Sequence, residues 1–323
     1  MDTYSKGFLN LDTDLSEIKA SVLIVGVGPQ TDGVAAHNTI LHLVEEYDAT
    51  QIGTINSEDL FDLSDERPQV SLDDLGNRTI EWPDASFWHL AKENLSPSVT
   101  TPHGGAGDGD ILFFTSPEPH FKWMKIAEAI THVATKAQIQ KIILLSSFDG
   151  PVPYDKQAPI LVTSGASAND AENPAHDFAR NIADLTAASF STPKYQGGAT
   201  FTMALGTMLR NEGFMVATIN AIAPFYVQNS GSPHAIDALL SAFDSIYGTT
   251  TPRYDLDEEM LNLRTRLENA RNEDSTFDTF ISALDSQFLT WQENFVQTVK
   301  ESELKTEDIL ADVEALFNDD QAN

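Results

Sequence analysis

From about Ser21 to Gly248 the sequence alternates short apolar runs with stretches of helical periodicity, and few folds accommodate that pattern. Ser21-Val22-Leu23-Ile24-Val25-Gly26-Val27 is too short for a helix, is rich in β-branched residues and stops at glycine, so it reads as a buried strand. Behind it, Val34, Ala35, Ile40, Leu41, Leu43, Val44 and Tyr47 mark one face of a helix. Strand-like segments recur at Gln51–Asn56, Asp110–Thr115, Lys141–Ser147, Ile160–Thr163 and Val216–Ala221. Helical stretches lie between them, at about 121–137, 175–190, 199–212 and 234–247. Repeated strand–helix units predict an α/β fold, with a mainly parallel sheet covered by helices on both faces. With 323 residues the chain is long enough to bury roughly 75% of its extended surface in such a core.

The pattern changes after Tyr247-Gly248-Thr249-Thr250-Thr251-Pro252. Leu256, Met260, Leu263, Leu267 and Ala270 step by four and three, a heptad seam too short for an independent coiled coil. Two further periodic stretches follow, Phe277 to Val299 and Ile309 to Phe317. The expected organisation is an α/β core over 1–251 and a helical extension over 252–323. The extension's bulky faces must bury on the core, on a neighbouring copy or on another protein. Asn94–Asp110, with its glycine-rich run at 103–109, reads as a long loop.

Nineteen Lys and Arg against 49 Asp and Glu leave a formal charge of −30. Such a surface repels nucleic acid and anionic membranes, so neither is an expected partner. The absence of cysteine excludes disulfides, thiolate metal sites and cysteine nucleophiles. No basic leader with an apolar core opens the chain and no apolar run approaches membrane-spanning length, which predicts a soluble, cytoplasmic protein.

The candidate chemistry gathers at strand ends. Gly26-Val27-Gly28-Pro29-Gln30-Thr31-Asp32-Gly33 lies where dinucleotide cradles sit, but the spacing is not G-x-G-x-x-G and no P-loop Lys-Ser/Thr follows. Gly28 and Asp32 remain candidates for lining a pocket. Ser57 and Glu58 stand just beyond the second strand, with Ser57 equally suited to cap a helix. Glu118, between two prolines after the Asp110 strand, either points into a cleft or belongs to a rigid turn. Tyr195, Gly197, Gly198 and Thr200 precede an apolar helix whose amides could meet an anion. Ser164-Gly165-Ala166-Ser167 lacks the G-x-S-x-G frame of a nucleophile elbow. The eight histidines show no metal-binding spacing, so neither a metal nor a cofactor is expected.

Taken in order, these segments resemble the proteasome assembly chaperone 2 family in its bacterial and archaeal branch. The likeness runs through the Gly26–Gly33 loop, Ile55-Asn56-Ser57-Glu58-Asp59-Leu60-Phe61-Asp62, Arg67-Pro68, Glu118-Pro119, Pro151-Val152-Pro153, Gly165-Ala166-Ser167, Tyr195-Gln196-Gly197 and Pro224-Phe225-Tyr226. It covers about residues 20–250. Two places depart from it: Tyr154-Asp155-Lys156 stands where relatives often carry His-Thr-Arg, and Pro224-Phe225-Tyr226 replaces a common Pro-His-Tyr. The resemblance implies a three-layer α/β/α core similar to the purine nucleoside phosphorylase-like fold. It also implies assembly as a homo-oligomer, with trimers plausible, and a protein-binding role; the C-terminal helices resemble an extension of longer bacterial members. The expected function is therefore a non-catalytic binding or assembly factor. The alternative is a nucleoside phosphorylase- or hydrolase-like enzyme whose pocket is formed by the strand-end residues named above.

Overall fold

In the computed structural model, described for residues 7–28, 34–56, 58, 60–73, 75–95, 109–166, 172–192, 196–227 and 232–298 (side chains of 289–298 excepted), the strand–helix alternation becomes one large sheet between two helical layers. The elements are β1 (Leu9–Leu11), β2 (Ala20–Gly28), α1 (Ala35–Glu46), β3 (Thr50–Ile55), β4 (Gln69–Leu72), β5 (Arg78–Glu81), β6 (Ala85–Leu90), β7 (Asp110–Pro117) and α2 (Trp123–Lys136). There follow β8 (Lys141–Gly150), β9 (Ile160–Thr163), α3 (Pro174–Leu185), β10 (Ser189–Ser191), α4 (Phe201–Asn211), β11 (Met215–Pro224), α5 (Pro233–Tyr247), α6 (Tyr254–Glu273) and α7 (Ser275–Thr298).

Nine strands form the main sheet, in the order β1-β3-β6-β7-β2-β8-β11-β9-β10. Its centre, β7-β2-β8-β11, is parallel throughout, as the buried apolar runs predict. The margins are mixed: β1, β3 and β6 continue from β7 by antiparallel pairing, and β9 pairs antiparallel with β11. β3, β6 and β7 follow one another with no described α-helix between them, and antiparallel neighbours need no crossover. β1, β6 and β10 are strands that the apolar runs do not mark.

The period of two along each central strand divides the core. Val22 and Ile24 of β2, Ile111 and Phe113 of β7, and Ile143 and Leu145 of β8 face one cluster beneath α1, α3 and α5. Leu23 and Val25, Leu112 and Phe114, and Ile142 and Leu144 face the other, beneath α2 and α4. Gly26 allows the closest approach: a Cβ there would strike the Ala36 carbonyl and Ile40, so α1 rests directly on the β2 backbone. Local sequence also sets the helix starts. Asn173, Thr200 and Ser232 each accept a backbone N–H in the first turn, and Pro174 and Pro233 occupy first helical positions where no donor is needed.

The segment after Tyr247 is held firmly. Gly248 ends α5 in the left-handed conformation (φ 68°). Asp244 Oδ1 then accepts from Thr249 Oγ1 (2.9 Å), Thr251 N (2.9 Å) and Thr251 Oγ1 (2.6 Å). Arg253 donates to Asp244 Oδ2 (2.8 Å) and to the Thr251 carbonyl (2.8 Å), and pairs with Asp237 (2.9 Å). From the other side, His42 Nε2 lies 2.7 Å from the Pro252 carbonyl, and Tyr47 meets the Thr251 hydroxyl at 3.0 Å. Leu256 of α6 joins the α1/α5 core. The third periodic stretch, Ile309 to Phe317, lies outside the described residues.

Candidate functional site

The carboxyl ends of the parallel strands open in two places, and the sequence-marked residues divide between them. At the β2/β7 end, Gly28 stands in register with Pro117, which brings Gly28 and Glu118 to one mouth. Glu118 Oε1 accepts a hydrogen bond from Phe201 N at 2.7 Å, and Thr200 Oγ1 accepts from Met203 N at 3.3 Å. The carboxylate thus rests on the N-terminus of α4, where the helix leaves backbone donors unsatisfied and its dipole favours negative charge. The Leu60 carbonyl accepts from the amides of His120 and Phe121, so the segment after β3 reaches the same end. Glu58 there is exposed, and its amide donates to Asn56 Oδ1 (3.1 Å). Gly197 and Gly198 are exposed ahead of α4. Asp32, Ser57 and Tyr195 lie outside the described residues.

Beneath this mouth is a buried relay that periodicity does not reveal. The Thr115 hydroxyl donates to the Gly26 carbonyl (2.9 Å), and His37 Nδ1 lies 2.6 Å from the same hydroxyl oxygen. A hydroxyl carries one proton, so His37 Nδ1 is the donor of the second bond. Burial pushes the His37 imidazole down to about 4 against the opposing pull of Asp84, and the ring is neutral near pH 7. A second hydroxyl–histidine contact, Ser164 Oγ to His176 Nδ1 at 2.8 Å, is sealed in the interior with both residues almost inaccessible. It sits beyond the end of β9, at the amino end of the parallel strands. No attacking group at Ser164 is presented to solvent.

At the β8/β11 end the closure is apolar. Tyr154, Phe280, Ile281 and Leu284 form a buried cluster, with Phe225, Tyr226, Leu267 and Phe277 packed around it. The Phe280 ring stands edge-on to Phe225 (6.0 Å, 84°) and to Tyr226 (5.7 Å, 88°). Phe288 joins Val152 and Ile222 beside it. Each buried side chain of this kind contributes about 1.5–3 kcal/mol before entropy is counted, and edge-to-face rings add about 0.5–1.5 kcal/mol. The two segments that depart from the resemblance, Tyr154-Asp155-Lys156 and Pro224-Phe225-Tyr226, therefore meet, and α7 lies on them. Periodicity marks the apolar face of α7 but not its target, because the two are brought together across more than fifty residues.

Next to this wall, the loop after β8, the start of α5 and the side of α6 enclose an open groove of about 410 Å³. Tyr154, Asp155 and Lys156 line it from the loop, His234 and Asp237 from α5, and Met260 and Arg264 from α6. Burial lowers the pKa of His234, with Asp237 opposing. Burial raises that of Asp237, with Arg253 opposing. His234 Nδ1 and Asp285 Oδ1 are buried without a hydrogen-bond partner among the described residues. No cluster of three or more metal-ligating side chains occurs among those residues, and no described helix is long and apolar enough to cross a membrane.

The profile of the PAC2 family matches residues 31–271, three quarters of the chain. The chain belongs to the PAC2 family. Among curated proteins nothing matches it. Solved structures share its fold: a Corynebacterium glutamicum protein of unknown function superposes with a TM-score of 0.70 at 18% identity, over 89% of this chain and 99% of the other. A Mycobacterium tuberculosis proteasome-assembly chaperone homologue gives 0.59 at 21% identity, over 80% and 99%. A Pyrococcus furiosus archaeal proteasome activator gives 0.59 at 14%, over 81% and 98%. The family match runs into α6 and ends before α7, so the wall built by α7 lies beyond the matched residues.

Proposed function

We propose that this PAC2 protein is a non-catalytic, protein-binding assembly factor that works in the cytoplasm as a homo-oligomer, with residues 1–251 as its core and 252–323 as an extension. The observation that carries this reading is the aromatic closure at the β8/β11 end. Open α/β sheets bind small molecules at the carboxyl ends of their strands, and here α7 covers that place with Phe280, Ile281 and Leu284. Glu118, the carboxylate best placed at the other mouth, is engaged as a cap on α4. The likeness to a proteasome-assembly chaperone homologue and to a proteasome activator supports protein as the binding partner. The experiment is an affinity capture from native lysate with mass-spectrometric identification, comparing the full chain with one ending at Thr251. A specific protein held by the full chain and lost on truncation supports the reading; recovery of the bait alone from both overturns it.

A second reading keeps a place because of the groove. His234, Asp237, Lys156 and Arg264 around about 410 Å³ could hold a small polar molecule such as a nucleoside or phosphate. Ligands of that class should then raise the melting temperature by mass action. A flat response across nucleosides, nucleotides and phosphate removes the enzyme alternative.

A further inference from the structure

The hairpin β4–β5 forms a two-stranded sheet of its own, joined among the described residues by no backbone pairing to the main sheet. Its register pairs Val70 with Ile80 and Leu72 with Arg78, so these four side chains share one face. Trp82 follows two residues after Ile80. The other face carries Gln69, Ser71, Thr79 and Glu81, tied together by Ser71–Thr79 (2.5 Å) and Ser71–Glu81 (3.0 Å) hydrogen bonds. The hairpin is thus amphipathic, with the alternation a half-buried sheet requires. Yet its apolar side is open: Val70 is 63% exposed, Leu72 68%, Ile80 54% and Trp82 58%, with Leu75 at the turn 87%. An isolated two-stranded hairpin is marginal in water, and an apolar face gains nothing by facing solvent.

We propose that the apolar face of the β4–β5 hairpin is the surface through which copies of this chain associate. The inference rests on the oligomeric part of the function proposed above and locates it. Size is one argument: the five exposed apolar side chains present roughly 600 Å², and two facing copies would bury roughly 1,200 Å², the lower end of stable interfaces. Charge is the other. Among the paired positions of this face only Arg78 is charged, so two copies meeting there set no carboxylates against one another, although the chain as a whole is strongly acidic. At −30 per chain the long-range term is repulsive, and screening should strengthen the association.

Sedimentation velocity across a concentration series tests this, on the full chain and on Ile80→Glu, Leu72→Glu and Thr79→Lys. The wild-type chain should form a closed species of defined mass, favoured on going from about 50 to about 500 mM salt. Ile80→Glu and Leu72→Glu should associate at least about 100-fold more weakly while keeping the wild-type circular dichroism, because both side chains are exposed in the single chain. Thr79→Lys, on the polar face, should behave as wild type. If the wild type associates and both glutamate variants associate equally well, the hairpin assignment falls while the oligomeric reading stands. A wild-type chain that stays single at every concentration, or that forms only open-ended aggregates, overturns the inference. Association that weakens with salt does so too.

Discussion

The two mouths at the carboxyl ends of the sheet are closed by different physics. At β2/β7 the work is done by hydrogen bonds between groups close to their own elements: Thr115 to Gly26, His37 to Thr115, and Glu118 to the start of α4. At β8/β11 it is done by aromatic and aliphatic side chains arriving on a helix from the far end of the chain. A hydrogen-bonded closure is worth little per bond but is costly to leave half-made. An apolar closure scales with area and can be removed as a block. The two ends should therefore fail separately, and the variants below are chosen to test that.

The largest effect is expected from Phe280→Ala with Ile281→Ala, which empties the centre of the α7 seat and should cost at least about 5 kcal/mol of the packing of α6 and α7. Hydrogen exchange provides the measurement. Amides of α7 should lose protection while those of β2 and β7 keep it; simultaneous loss in both would show a single cooperative unit and remove the boundary at 251.

Next comes the connection between the two regions. Asp244→Ala leaves Thr249, Thr251 and Arg253 without their shared acceptor and should cost about 3 kcal/mol in denaturant unfolding, since Arg253 then stays largely buried beside Asp237 alone. In the sequence this segment marks only the place where the strand–helix pattern changes. Its rigidity comes from partners on α1 and α5, more than two hundred residues away in the case of His42.

The β2/β7 end predicts a pH signature. His37 titrates near 4 in the folded chain against 6.5 ordinarily, so between those values the unfolded chain takes up a proton that the folded chain does not. This contribution is complete above about pH 6.5 and falls as pH drops toward 4, by up to about 3 kcal/mol. Stability curves for the wild type and His37→Gln should diverge across that window and run parallel below it. Identical slopes would mean that the ring is not held neutral.

Much of this architecture was legible. Apolar runs around Val22–Val27, Ile111–Phe114 and Ile142–Leu145 are buried on both faces, so composition alone marks them as central strands. The heptad steps from Leu256 to Ala270 mark α6 and the Phe277–Phe295 pattern marks α7. The rest is hidden for stated reasons. β6 is Ala-Ser-Phe-Trp-His-Leu, a strand because β3 and β7 flank it and not because of its own period. Among the candidate site residues, Gly28, Glu118 and Thr200 do converge, but the bond from the Phe201 amide to the Glu118 oxygen joins residues 83 apart and leaves no local signal. The aromatic wall was invisible because Tyr154, Phe225 and Phe280 come from three distant segments, each with an ordinary local pattern.

The smallest predicted effect separates the cap from the cleft at Glu118. Glu118→Gln keeps an oxygen acceptor for Phe201 N but removes the charge that the α4 dipole favours, so unfolding should be easier by only about 0.5–1 kcal/mol. A cleft carboxylate would behave differently. If Glu118 held a ligand, the substitution would leave the unliganded melting temperature nearly unchanged and abolish any stabilisation by nucleosides or phosphate. A small loss of stability, with the ligand response unaltered, places Glu118 with Thr200 as part of the α4 start and leaves the β2/β7 mouth structural. The reverse pattern would move the active interest of this PAC2 chain to the hydrogen-bonded end, where His37 and Thr115 lie directly beneath.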